Sequence, residues 1–235
     1  VAAWVEAEFG VVYTTSGMTA LLHRLGFVYK KPKLVPGKAD REAQEAHLAK
    51  YEALKKNKGE NDVICFMDAV HPQHNPVLGY GWIKRGEVFK IPSNTGRRRL
   101  NINGALSVNT LSGEFRFEET INVASAIALF QQIEAANPDA PKIIVYCDNA
   151  RYYRAKAVKE YLEGSRIQLI FLPPYSPNLN VIERLWKLFR RQILYNHYYE
   201  KFDQFSTACR KFFDELDSYA DQLRTLLTEN FQIVG

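Results

Sequence analysis

Three acidic residues stand where an acid needs explaining. Two apolar runs of strand length each end at an aspartate: VICFM leads to Asp68, and IIVYC leads to Asp148. The third, Glu183, is the single acid on a helix-like stretch that also carries Arg184, Lys187, Arg190 and Arg191. An ionised carboxylate beside buried β-structure is costly unless it is paired or binds a cation. Ligands of open α/β sheets collect at the carboxyl ends of strands. Two aspartates brought there by neighbouring strands would make a hard-oxygen site suited to Mg²⁺.

Each acid also has a local explanation. Asp148 or Asn149 can cap a helix starting at Ala150. With Asn180 as N-cap, Glu183 falls at the third helical position, a capping-box arrangement, and it can pair with Lys187 one turn on. The helical wheel adds a constraint. Ile182, Trp186, Phe189 and Ile193 recur at steps of 4, 3 and 4 and form a buried stripe. Glu183 lies about 100° round from Ile182, at the edge of that stripe, where it can face the end of a sheet.

The elements needed to position these acids can be read along the chain. The chain has 235 residues, 46% of them hydrophobic, enough for one large domain with a small appendage. VAAWVEAEFG reads as a short helix closed by Gly10. TTSGMTALLHRLGF reads as a second, capped by Thr15 or Ser16 and stopped at Gly26. With the following VYKKPKLVPG they form a helix-turn-helix with a basic wing, residues 1–37, whose Lys30, Lys31 and Lys33 would meet phosphates. Residues 38–59 predict a polar surface or linker helix. From residue 60 onward strand signals alternate with turns: 62–70, 79–91, 97–110 and 113–120. A helix over 123–138, a buried strand over 142–150, a helix over 150–165 and a strand over 167–174 follow. Three helices close the chain, at about 179–197, 202–216 and 218–229. Antiparallel strands followed by β-α-β-α predict an α/β fold with a mixed sheet flanked by helices.

Charge is modest overall, at +5, but uneven. Lys84 to Arg99 holds six basic residues against Glu87. Arg151 to Lys201 holds ten against four, and the remainder reverses to three against six. Two basic stretches flanking the same acids fit a polyanion. Arg97, Arg98 and Arg99 read either as a solvated strand end or as phosphate contacts, and Arg151 and Arg154 follow the second aspartate closely enough to touch nucleic acid. Trp82 and Trp186 are expected in the core. His71 and His74 lack the further Cys/His pair of a zinc site. Cys65, Cys147 and Cys209 read as buried free thiols of a reducing cytosol. No apolar run reaches the ~18 residues of a membrane span, and no signal peptide is visible at the Val1 start.

Together the segments FMDAVHP, VYCDNARYYRA and LPPYSPNLNVIERLW resemble the transposases of the mariner superfamily, especially its bacterial insertion-sequence branch. The 34 residues between Asp148 and Glu183 match that group. The resemblance implies a ribonuclease-H-like catalytic domain over 60–235, behind a winged-helix-like segment that is the second half of a bipartite DNA-binding region. It implies that Asp68, Asp148 and Glu183 form a catalytic triad holding two Mg²⁺ or Mn²⁺ ions. It further implies double-stranded DNA as partner (terminal inverted repeats and target), a homodimer on that DNA, and residence at the nucleoid in a bacterial cytoplasm. Ala69, Tyr153 and Val181 stand where the family often has an acid, a histidine and a proline; none of the three removes a triad carboxylate. A DNA-binding protein without catalysis and a ribonuclease-H-like nuclease are the competing expectations.

Overall fold

β1 (Val63–Val70) carries the apolar run VICFM through the centre of a five-stranded sheet of order β3-β2-β1-β4-β5. It pairs antiparallel with β2 (Asn101–Ser107), which pairs antiparallel with β3 (Gly113–Glu118). On its other side β1 pairs parallel with β4 (Ile143–Cys147), and β4 with β5 (Ile167–Phe171). β1 and β4 are almost wholly buried, as expected for central strands covered on both faces. This is the mixed sheet flanked by helices that the sequence predicts.

The computed structural model describes residues 1–30 and 36–234. The chain divides into two compact units, Val1–Val35 and Pro36–Gly235. In the first, α1 (Ala2–Phe9) ends at Gly10, whose φ of 64° no β-carbon opposes. α2 (Thr15–Arg24) is capped by Thr14, whose side chain accepts from Gly17 N at 3.1 Å, not by Thr15 or Ser16. Gly26 turns the chain after it at φ 83°. Lys30 is exposed, whereas Lys31, Lys33 and the rest of residues 31–35, the middle of the expected wing, lie outside the described residues.

In the second unit, α3 (Arg41–Asn57) is more than a surface linker. Its Tyr51 is 2% exposed and packs edge-on against Tyr146 and tilted against Phe66. Two cores sandwich the sheet. On one face α3, α6 (Ile182–Phe189) and α7 (Phe202–Asp214) cover Ile64, Phe66, Ile144 and Tyr146, with α8 (Ala220–Leu226) contributing Leu223. On the other, α4 (Val123–Ala136) and α5 (Lys156–Glu163) cover Cys65, Met67, Val145 and Cys147.

Three expected elements differ. Residues 79–91 form no strand: their alternation finds no partner among the described residues, and Tyr80, Trp82 and Phe89 stand in solvent. The segment is held at its base, where Gly79 N donates to Asn196 Oδ1 at 3.0 Å and Gly79 O accepts from Asn196 Nδ2 at 3.3 Å. The helix expected over 150–165 opens as a 3₁₀ turn at Arg151–Arg154 and becomes α-helical only from Lys156. The helix expected over 179–197 is a 3₁₀ turn (Pro177–Leu179), then α6, then a π turn (Arg190–Leu194).

Candidate active site

The parallel register of β1 and β4 sets two of the acids side by side. Phe66 pairs with Tyr146, so Asp68 and Asp148, each two residues further on, come level. Side chains alternate along a strand, so both aspartates share the face of Phe66 and Tyr146, beneath α6. The third acid comes from α6. Its Ile182, Leu185, Trp186 and Phe189 are buried, and Glu183 lies at the edge of that stripe, half-buried. Asp68, Asp148 and Glu183 line one open cavity of about 480 Å³, with Asn149, Asn180 and the Pro173–Pro177 turn around them.

The neighbours of each acid are specific. Trp186 Nε1 donates to Asp68 Oδ2 at 3.0 Å. Ala150 N donates to Asp148 Oδ1 at 3.1 Å, a turn-closing contact. Asn149 is held from both ends: its Nδ2 donates to Leu172 O at 2.7 Å, and its Oδ1 accepts from Arg154 Nη2 at 2.6 Å. Arg154 itself lies over the Phe171 ring at 4.0 Å. The capping box expected at Glu183 is not formed. The Asn180 side chain donates to Met67 O at 3.2 Å, Val181 takes the N-cap position without a side-chain bond, and the Glu183 carboxylate has no hydrogen bond or ion pair among the described residues, although its backbone N donates to Asn180 O at 3.1 Å. Asn180 is buried against β1, where an unmet carbonyl is costly, so its amide serves Met67 instead of the helix.

Glu183 and Asp148 disfavour the charge of Asp68. Burial raises the Asp68 carboxyl from 3.8 to about 7, helped by the charges of Glu183 and Asp148 and opposed by the Trp186 hydrogen bond. Burial also raises Glu183, opposed by Arg190. A cluster of carboxyl oxygens without a basic partner is the donor set a hard divalent cation fits. Among the described residues no three His, Cys, Asp or Glu side chains lie close enough to enclose an ion in this conformation.

The predicted phosphate contacts scatter. Arg97, Arg98 and Arg99 are exposed, but Arg98 stacks on the Phe202 ring at 3.7 Å and so ties the stretch before β2 to α7. Arg151 is exposed beside Asp148, and Arg154 is committed to Asn149. Trp186 is in the core, as expected; Trp82 is fully exposed, contrary to expectation, because the strand meant to bury it is absent. His74 stacks on Phe205, and its Nε2 lies 2.8 Å from Tyr199 O, a packing role. All three cysteines are buried and free. Sequence reasoning placed Trp186 but missed its bond to Asp68; it read Asn149 and Asn180 as caps and missed their bonds to Leu172 O and Met67 O, which lie 23 and 113 residues away in the chain.

Residues 63–206 match the family described as DDE superfamily endonuclease, and residues 1–51 match that described as winged helix-turn-helix. A 39 kDa protein of insertion element IS630 from Shigella sonnei is 24% identical over 195 residues, 83% of this chain and 57% of that protein. The chain thus spans little more than half the length of this relative. Among solved structures, the Mos1 transposase paired-end complex with left transposon end has a TM-score of 0.70 at 16% identity, covering 98% of this chain and 75% of that one. The mariner Mos1 paired-end complex with Mg has a TM-score of 0.66 at 16% identity, covering 100% and 75%. At such identities these two matches establish the fold, which is that of the ribonuclease-H-like domain inferred from the three motifs. The endonuclease match spans more than half of the chain, and on that ground the chain belongs to the DDE superfamily endonucleases, the family to which its mariner-like motifs point.

Proposed function

We propose that this chain belongs to a transposase that cuts DNA at the ends of a mobile element and joins the 3′ ends to target DNA, with Asp68, Asp148 and Glu183 as its catalytic carboxylates. The observation that carries this reading is the convergence of two strand-borne aspartates and one helix-borne glutamate on a single open cavity. These three side chains would hold two divalent cations, Mg²⁺ or Mn²⁺, which when bound activate the attacking water or 3′-hydroxyl and stabilise the leaving 3′-oxygen. The chain's own residues do the positioning. Neighbouring strands hold Asp68 and Asp148 level, and the packing of α6 sets the height of Glu183. Asn149 fastens the Asp148 turn to the end of β5. Arg151, Lys187 and Arg191, exposed on surrounding elements, supply positive charge for the DNA backbone, together with Arg97 and Arg99; Lys30, Lys31 and Lys33 are phosphate contacts of the N-terminal unit by itself. Double-stranded DNA is the partner, bound by a homodimer. No described helix is long and apolar enough to cross a membrane, and the bacterial cytoplasm, at the nucleoid, is the expected compartment.

A second reading, a DNA-binding protein that keeps the fold without catalysis, draws on the failure of any three ligands among the described residues to close around an ion in this conformation. One comparison separates the two. Labelled DNA from the flanks of the reading frame is incubated with Mg²⁺ or Mn²⁺ and either the wild-type chain or Glu183→Gln. The transposase reading expects metal-dependent cleavage that falls by orders of magnitude in a variant with an unchanged melting curve. Equal cleavage by both chains refutes the role of Glu183, and no cleavage by either favours the second reading.

A further inference from the structure

Trp186 does more than fill the core. Its indole is fully buried on α6, one turn after Glu183, and its N–H reaches across the sheet face to Asp68 Oδ2 at 3.0 Å. That reach depends on a gap in β2. The residue paired with Asp68 is Gly104. A β-carbon there would come within 2.9 Å of Trp186 Cη2 and within 2.6 Å of Phe115 Cδ1. Glycine within a strand commonly marks a close approach of this kind. Phe115 and Phe213 pack edge-on against the indole, at centroid distances of 6.1 and 6.0 Å. The ring is therefore confined by rings on β3 and α7 and by the bare backbone of β2, with its one polar atom aimed at one carboxylate oxygen.

Resting on the proposed metal-dependent function, we propose that Trp186, seated in the gap left by Gly104, is a positioning residue that fixes the orientation of the Asp68 carboxylate for cation binding. The indole engages Oδ2 and so sets the direction of the remaining lone pairs. Because the same helix carries Glu183, the contact also couples the strand-borne acid to the helix-borne one. Supports of this type behind metal-ligating side chains commonly govern affinity as strongly as they govern geometry.

Two measurements on the full chain test this. The first is Mn²⁺ binding by calorimetry in the wild type, Trp186→Phe, Asp68→Ala and the double variant, each with a melting curve. Trp186→Phe keeps an aromatic ring and removes the N–H. It is expected to weaken Mn²⁺ binding by about 10- to 100-fold, and to add nothing further in the Asp68→Ala background. Unchanged affinity in Trp186→Phe, or an equal loss in both backgrounds, overturns the proposal, because Trp186 would then act on the fold and not through Asp68. The second needs no metal and no change at Trp186. The indole N–H resonance of Trp186 should move and exchange faster in Asp68→Ala, while those of Trp4 and Trp82 stay put. An unmoved, equally protected resonance overturns the hydrogen bond and the proposal with it. A wild-type chain that binds no Mn²⁺ overturns the metal reading on its own, and the resonance still decides whether Trp186 holds Asp68.

Discussion

Replacing Asp68 with Asn should stabilise the chain in chelator, and increasingly so as pH rises. Asn keeps the shape of the side chain and an oxygen for the Trp186 N–H, while removing the charge. The Asp68 carboxyl is raised from 3.8 to about 7 in the folded chain, chiefly by burial and next by Glu183. Between those values the folded state holds a proton that the unfolded state has released. Stability from this group is therefore fully present below pH ~4 and falls until about pH 7. A tenfold difference in proton affinity between the two states is worth about 1.4 kcal/mol. The cost of ionisable Asp68 relative to a neutral side chain is then about 1.7 kcal/mol at pH 5 and about 4 kcal/mol at pH 8, as upper figures. Urea unfolding of both chains with EDTA at pH 5 and pH 8 isolates the effect, since the difference between them cancels other titrating groups. The gain in Asp68→Asn should grow by about 2.5 kcal/mol across that range. Mn²⁺ at 100 times its dissociation constant should take back about 2.7 kcal/mol of that gain, because the cation stabilises the chain that binds it. A pH-independent difference, or a variant less stable than wild type at pH 8 in EDTA, would refute the account of a strained carboxylate cluster.

Neutralising Arg97 and Arg99 to Gln should lower DNA affinity and reduce the log–log salt slope by about 0.9 for each phosphate no longer neutralised; an unchanged slope places the DNA path elsewhere. Arg98→Ala should instead cost about 0.5–1 kcal/mol in stability, because the guanidinium no longer stacks on Phe202, as read by urea unfolding. Trp82→Ala, at a fully exposed position, should move stability by no more than about 0.5 kcal/mol, and a larger loss would mean that the ring is covered in the folded chain.

What could be read in the sequence follows the range of the interactions involved. VICFM and IIVYC announce buried strands because each is a continuous apolar run, and the two aspartates at their ends follow directly. That the two stand level is a matter of parallel register, set by pairing between residues 80 positions apart, which no local pattern encodes. The stripe through Ile182, Trp186 and Phe189 placed α6 and its buried tryptophan correctly. The same local logic failed at Asn180, where the spacing to Glu183 spells a capping box. A buried carbonyl on β1 took the Asn180 amide, and a partner 113 residues distant in the chain overrode one three residues away. Residues 79–91 failed for the complementary reason. Their alternation is real, but alternation makes a strand only where a neighbouring edge accepts it, and none of the described residues does.

The contrast between strand and helix also explains why the third acid is the adjustable one. Asp68 sits inside β1, where its backbone is in register with Gly104 of β2 and the strand just before it pairs with β4, so it cannot shift without disturbing the sheet. Asp148 follows directly on a strand whose five residues are all buried, and its turn is tied to β5 through Asn149. Glu183 has no such tether. Its position is inherited from the packing of Trp186 and Phe189 against Phe213, and a turn of α6 by one residue would carry its carboxyl about 100° away from the aspartates. The helix is also short, bounded by a 3₁₀ turn before and a π turn after. Side-chain packing, not a long run of backbone hydrogen bonds, therefore fixes its rotation. An acid that must meet two others across a sheet is thus held by the one element whose orientation the core can tune, and the Trp186–Asp68 hydrogen bond is the polar contact by which that orientation is registered against the strands.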